Sequence, residues 1–261
     1  MQFIIGIVKE NEIMKYTPDK DVLYEIIGIL SEANLPIIFK GANVTNILLQ
    51  QRNSPYVRTT TDIDSSWNGT NPTTENIEIM LKKALNPYGY DISKIRDLNG
   101  VQVSAGFKVL KDGLPITKMD IDIHKVSQSE KYSVGTVTFN GVIAEEILAD
   151  KLCVISNSHI YRRIKDLMDI YSLTNAVNIN VKHLLDIIKQ SGHQLGNFEE
   201  FINNKDKIKE IYSTLKASNK PEFDKVYECV FDYMKEINKY KEEVENTEIK
   251  DIADDFDDID K

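Results

Sequence analysis

The sequence predicts an α+β protein: a mixed sheet with flanking helices over residues 1–141, then an all-helical region over 142–241. Two observations predict this. Helical and strand patterns alternate through the first half, and strand patterns stop after Gly141. A third observation separates off the end of the chain. Residues 242–261 hold ten acidic residues and two lysines, so they carry −8 of the formal net charge of −9. The body is therefore near neutral. The tail is expected to be disordered, because it is acidic and poor in large apolar groups.

The elements of the first half follow in order. Residues 21–35, DVLYEIIGILSEANL, have the period of an amphipathic helix. PIIFKG (36–41) is a short apolar strand ended by glycine, and VTNILLQQ (44–51) is a helix directly after Gly41-Ala42. TTTDIDSSW (59–67) is the next strand. NPTTENIEIMLKKAL (71–85) has a turn signal, a capping threonine and helical spacing. Three further strands are expected: VQVSAGFKVL (101–110), PITKMDIDIHK (115–125) and YSVGTVTF (132–139), with a turn at KDG (111–113). In the second half, residues 143–156, 160–177, 181–191, 207–217 and 224–240 all carry helical periodicity.

Composition excludes several classes. No run approaches eighteen apolar residues, so no membrane span is expected. MQFIIGIVKENE has neither a basic leader nor a cleavage site, so it does not have the pattern of a signal peptide. Cys153 and Cys229 lie far apart and in no metal-binding spacing; free thiols in a reducing cytoplasm account for them.

The chemistry concentrates in two D-x-D strands. Asp62 and Asp64 are one residue apart, so a strand points both the same way, with Thr60 beside them. Asp120 and Asp122 repeat the arrangement. Carboxylates this close repel one another unless a cation lies between them, and a divalent metal takes oxygen ligands of this kind. A solvated strand face that discourages edge pairing is the plain alternative. Two such strands in one region favour a shared site, with either Asp120 or Asp122 completing it. Gly41 stands between strand and helix, where exposed backbone N–H groups suit phosphate, and Lys40 adds a cation. On the later helix, Arg162, Asp166 and Asp169 share a face, and Lys165 and Asp169 are spaced to pair at i, i+4. His124 follows the second D-x-D and falls near the same place. Tyr56 and Trp67 flank the first; core packing is the expected use of both.

FKGANVTNILL followed by RTTTDID resembles the DNA-polymerase-β-type nucleotidyltransferases, and within them the AbiEii/AbiGii abortive-infection toxins. The matching pieces are Lys40-Gly41, Arg58-x-Thr60-x-Asp62-Ile63-Asp64, Asp150-Lys151 and Arg163-Ile164-Lys165-Asp166 with Asp169, spanning about residues 36–175. The sequence departs from the pattern at Ala42, where the superfamily often carries serine, and at Thr60, which keeps a hydroxyl. The resemblance implies Mg²⁺ or Mn²⁺ held by Asp62, Asp64 and Asp120 or Asp122, and an NTP substrate cradled by Lys40, Gly41, Ala42, Arg58 and Thr60. It implies that Lys151 contacts the phosphates, that Asp166 acts as a base or positioning group, and that Arg163 and Lys165 orient it. It further implies transfer of an NMP to an RNA, such as a tRNA 3′ end, or to a protein, restrained by a cognate antitoxin. A small-molecule transferase of the antibiotic-modifying kind and a non-catalytic nucleotide-binding relative are the alternatives.

Overall fold

The structure is a computed structural model. It describes residues 20–257 apart from 55, 57–58, 71, 100–102, 158–159, 193 and 216–218, and side chains up to residue 243. Seven strands form one mixed sheet: β1 (Ile37–Lys40), β2 (Asp62–Trp67), β3 (Tyr90–Arg96), β4 (Ser104–Lys111), β5 (Leu114–Asp122), β6 (Ser129–Val134) and β7 (Val137–Val142). Their order across the sheet is β3-β4-β5-β2-β1-β7-β6. β2 runs parallel to β5 and antiparallel to β1, which in turn is parallel to β7.

Strand alternation divides the sheet into two faces. On one face Phe39, Ile63, Met119, Ile121, Ala105 and Phe107 are at most 1% exposed, so this face is core. Helices α1 (Lys20–Glu32) and α3 (Thr74–Leu85) lie against strands β7 and β3 respectively. The other face carries Lys40, Asp64, Asp120 and Asp122. Local chemistry sets the connections. Thr73 caps α3 by accepting a hydrogen bond from the Asn76 N–H. The expected KDG turn joins β4 to β5 with Asp112 and Gly113 both at positive φ, the geometry that a tight hairpin needs.

Helix α2 (Gly41–Gln51) leaves the end of β1 and packs against α4 (Ala144–Ser156) and α5 (Ile164–Ala176). Helices α6 (Val181–Ser191), α7 (Glu199–Asn203), α8 (Lys205–Thr214) and α9 (Phe223–Asp257) complete the helical half. One cluster of buried apolar side chains runs from α1 to α9, so the sheet and the helices share a core.

The elements differ from the sequence expectation in four places. YSVGTVTF is a hairpin rather than one strand, because Gly135 takes φ +57° and turns β6 into β7. Strand β3 and the short α7 arise from segments without clear periodicity. Residues 160–162 form a short 3-10 turn and α5 begins only at Ile164, so Arg162 and Arg163 precede the helix. Finally, α9 continues to Asp257, into the tail expected to be disordered. Its glutamates and lysines are good helix formers.

Candidate active site

The pairing of β2 with β5 aligns the two D-x-D motifs. Asp64 lies opposite Asp120, Asp62 opposite Lys118, and Ser66 opposite Asp122. Lys40 of β1 lies opposite Asp64, and Gly106 of β4 opposite Asp120, with Arg96 of β3 beyond it. A single row therefore crosses five strands on one face: Lys40, Asp64, Asp120, Gly106, Arg96. Parallel neighbours lie roughly 4.8 Å apart. Like charges so placed repel unless compensated.

Compensation comes differently for each carboxylate. Asp120 accepts a 2.6 Å hydrogen bond from Arg96 Nη2. Gly106 makes room for it: a Cβ there would stand 3.3 Å from both Arg96 Cβ and an Asp120 oxygen. Asp122, one step along β5, is bound by the Lys40 ammonium, by Ser66 Oγ at 2.6 Å and by the His124 N–H at 3.2 Å. Burial opposes the Asp122 charge, but the His124 hydrogen bond, the Lys40 charge and the Ser66 hydroxyl outweigh it; the pKa falls to about 2. Lys40 also reaches Asp150 of α4 at 3.2 Å. Burial works against its charge, yet Asp150 and Asp122 together hold the ammonium above its ordinary range. Lys40 is thus a clamp between β1, β5 and α4.

Asp64 sits against the start of α2. Gly41 has φ +66°, and a Cβ there would overlap the Asp64 carboxylate and stand 2.9 Å from its Cβ. Only glycine fits both the backbone and the space. The Lys40 side chain makes no hydrogen bond capping this helix, and Gly41, its first residue, lies at the cleft wall. Asn43, in that first turn, donates to the Asp62 carbonyl at 2.9 Å and ties the helix to β2.

Across from the sheet, α4 and α5 meet through a buried ionic trio. Lys151 Nζ donates to Asp166 Oδ1 at 2.9 Å and to Asp169 Oδ2 at 2.6 Å. The side chains of Lys151, Asp166 and Asp169 are 8%, 13% and 0% exposed. The i, i+4 pairing expected between Lys165 and Asp169 does not form: Asp169 points inward to Lys151, and Lys165 is exposed.

A cleft of about 800 Å³ lies between these parts, lined by Lys40, Gly41, Asp64 and Asp122 from the sheet side and by Lys151 and Asp166 from the helices. His124, Asp150, Arg162 and Arg163 also face it. Arg163, about half exposed, stands 4.0 Å from Asp166. A second cavity, of about 930 Å³, lies between the end of α4, residues 195–204 and α9; its walls are rich in asparagine and include no residue of the sheet.

The sequence-derived site residues fall into three groups. Lys40, Gly41, Asp64, Asp122, Lys151, Arg163 and Asp166 line one cleft. Asp62 and Asp120 share the sheet face beside it but do not line it, Asp62 being exposed. Ala42 is buried in the core, and Thr60 is half-buried with its hydroxyl 3.3 Å from the Asp62 carbonyl. Lys165 is away from the cleft, and Arg58 lies outside the described residues. Tyr56 and Trp67 are core residues.

Asp62, Asp64 and Asp120 are hard oxygen donors on one face, with Asp64 and Asp120 in register and Gly41 letting the Asp64 carboxylate lie against the start of α2. Among the described residues no three acidic, histidine or cysteine side chains are already drawn together as a metal site, since Asp120 is turned to Arg96. The residues fit the ion in type, face and register, and Asp122 is engaged by Lys40, Ser66 and His124.

Sequence reasoning missed Arg96, Ser66 and the partners of Lys151. The glycine inside VSAGF was the one local signal for a close approach across β4.

No protein-family model matches the chain, and no curated protein matches it. Solved structures similar to it include the following three. An antigenic nucleotidyltransferase-like protein from Paracoccidioides brasiliensis is 14% identical, over 69% of this chain and 96% of that one, with a TM-score of 0.41. MenT4, a nucleotidyltransferase toxin from Mycobacterium tuberculosis H37Rv, is 13% identical over 80% of each chain, with a TM-score of 0.49. The Megavirus polyadenylate synthase is 14% identical over 84% of this chain and 51% of that one, with a TM-score of 0.37. The chain spans about half the length of the synthase. These are likenesses of fold. The reading of the site rests on its side chains.

Proposed function

We propose that the protein is a metal-dependent nucleotidyltransferase. It would transfer an NMP from an NTP to an RNA or protein acceptor, as the toxin of a toxin–antitoxin or abortive-infection system. One observation supports this most: the in-register Asp64–Asp120 pair stands beside the glycine-opened start of a helix, at a cleft whose far wall carries a lysine and arginines. Phosphoryl transfer needs positioning and charge stabilisation more than covalent chemistry, and this arrangement offers both.

Asp62, Asp64 and Asp120 would hold Mg²⁺ or Mn²⁺, which supplies charge neutralisation of the attacked phosphate and of the leaving pyrophosphate. The chain's own groups do the rest. The N–H of Gly41, at the cleft wall, donates to a phosphate oxygen, favoured by the positive end of α2, while Ala42 is buried behind it. Arg162 and Arg163, exposed at the mouth, attract the triphosphate by long-range charge. Lys151 holds Asp166 in place and presents one shared ammonium to the cleft. Asp166 then accepts the proton of the acceptor hydroxyl, or orients that hydroxyl, as it attacks the α-phosphate in line. Lys40 fixes Asp122 and Asp150 so that the two walls keep their distance.

The test is incubation with α-labelled NTPs, Mg²⁺ and either total RNA or cell protein. Label should pass to one acceptor class with wild type and fail to pass with Asp64→Ala. Transfer to neither by a folded wild type, or equal transfer by Asp64→Ala, overturns the proposal. Transfer to an added aminoglycoside-type alcohol alone would reassign the acceptor to small molecules.

A further inference from the structure

Arg96 has no part in the chemistry above, yet it reaches into the centre of the carboxylate row. It ends β3, the outer strand of the sheet, and β4 lies between it and β5. Its side chain crosses β4 at Gly106, the residue opposite it. Three hydrogen bonds fix it there: Nε to the Ser104 carbonyl at 3.0 Å, Nη2 to Ser104 Oγ at 2.9 Å, and Nη2 to Asp120 Oδ1 at 2.6 Å. The Arg96 and Asp120 side chains are 36% and 42% exposed. An ion pair this exposed exchanges partners at little cost, unlike the buried Lys151 trio.

The row explains why such a residue is needed. Asp62, Asp64 and Asp120 place three carboxylates on two neighbouring strands of one face. Without a resident cation they repel one another, and any passing cation is attracted to them. A guanidinium held at fixed distance solves the first problem and competes in the second. We infer that Arg96 is the resident counter-ion of Asp120: it occupies that carboxylate until a divalent ion displaces it, and so tunes how tightly the carboxylate row takes up metal. This rests on the nucleotidyltransferase reading and adds to it a positioning residue that acts through Asp120.

The sign of one measurement separates this role from a merely structural one. A structural residue, once removed, loosens the site and weakens metal binding. A counter-ion, once removed, strengthens it. Mn²⁺ binding to the full chain without nucleotide is followed by the electron paramagnetic resonance of free Mn²⁺. Arg96→Met should bind Mn²⁺ about two- to fivefold more tightly than wild type, the range expected when an exposed ion pair no longer competes. Arg96→Lys should fall between them. Gly106→Ala, which wedges a methyl between guanidinium and carboxylate without removing charge, should shift affinity the same way by a smaller factor. Melting curves of the same samples report folding, and Arg96→Lys and Gly106→Ala carry the test if Arg96→Met does not fold.

Unchanged or weaker Mn²⁺ binding in the folded Arg96 and Gly106 variants overturns the counter-ion role while leaving the transferase reading intact. Asp64→Asn is the internal control for that reading. If Asp64→Asn binds Mn²⁺ as wild type does, or if none of the proteins binds it, the metal site itself is wrong and the counter-ion role falls with it.

Discussion

Replacing Lys151 with methionine is the most informative single change to the stability of the site. The substitution keeps a long unbranched side chain but removes the ammonium that bonds Asp166 at 2.9 Å and Asp169 at 2.6 Å. Asp169 is fully buried and cannot exchange its lysine for bulk water, and Asp166 meets solvent only through the cleft. Removing one partner of a buried ion pair costs about 3–5 kcal/mol. For a chain of this size that corresponds to a fall in Tm of roughly 5–9 °C. The double variant Lys151→Met/Asp169→Asn removes the more buried charge as well and should recover at least about 1 kcal/mol relative to the additive sum. The assay is thermal and urea unfolding of wild type, both single variants and the double variant at neutral pH. A Tm shift under about 2 °C for Lys151→Met, or strict additivity in the double variant, would refute the buried trio.

Further outcomes follow from other contacts. Asp122→Asn should cost about 2 kcal/mol at neutral pH, from a carboxyl pKa lowered to about 2 by partners that outweigh burial. A depressed carboxyl stabilises above its unfolded pKa of about 4 and loses that contribution as pH falls toward the folded value, so the wild-type advantage should fade between about pH 4 and pH 2 in urea titrations. Gly41→Ala should destabilise by at least about 1–2 kcal/mol, because φ +66° disfavours a side chain and the new Cβ overlaps Asp64; calorimetry should also show weaker triphosphate binding. The Cys153 thiol, pushed up to about 12 by burial with Asp150 nearby, should react with a thiol reagent only after unfolding; prompt labelling of Cys153 in the native protein, mapped by peptide mass, would contradict its buried placement.

What the sequence made legible was local. The spacing of Asp62 with Asp64, and of Asp120 with Asp122, needed only strand alternation, and both motifs do lie on strands. Thr73 as a cap and KDG as a turn were equally local. Pairing across the sheet was not legible, because nothing near either motif specifies that β2 joins β5 in register. For that reason Asp120 and Asp122 stayed equivalent until Arg96 and Lys40 were seen to engage one each. The Lys165–Asp169 expectation came from helix spacing; it failed because burial gave Asp169 a better partner on α4. Strand β3 was hidden because YDISKIR buries only alternate residues at its start and none at its exposed end. Gly135 was read as part of a strand, although a left-handed glycine between β-branched residues can equally make a hairpin.

The central claim is that carboxylates of β2 and β5 act together on a nucleoside triphosphate. Pyrophosphate release from the four NTPs, in the presence of Mg²⁺ and total cell RNA or protein, tests it most directly across wild type, Asp64→Asn and Asp120→Asn. Wild type should release pyrophosphate, and neither variant should release any above background. Release by both variants at the wild-type rate would contradict that claim.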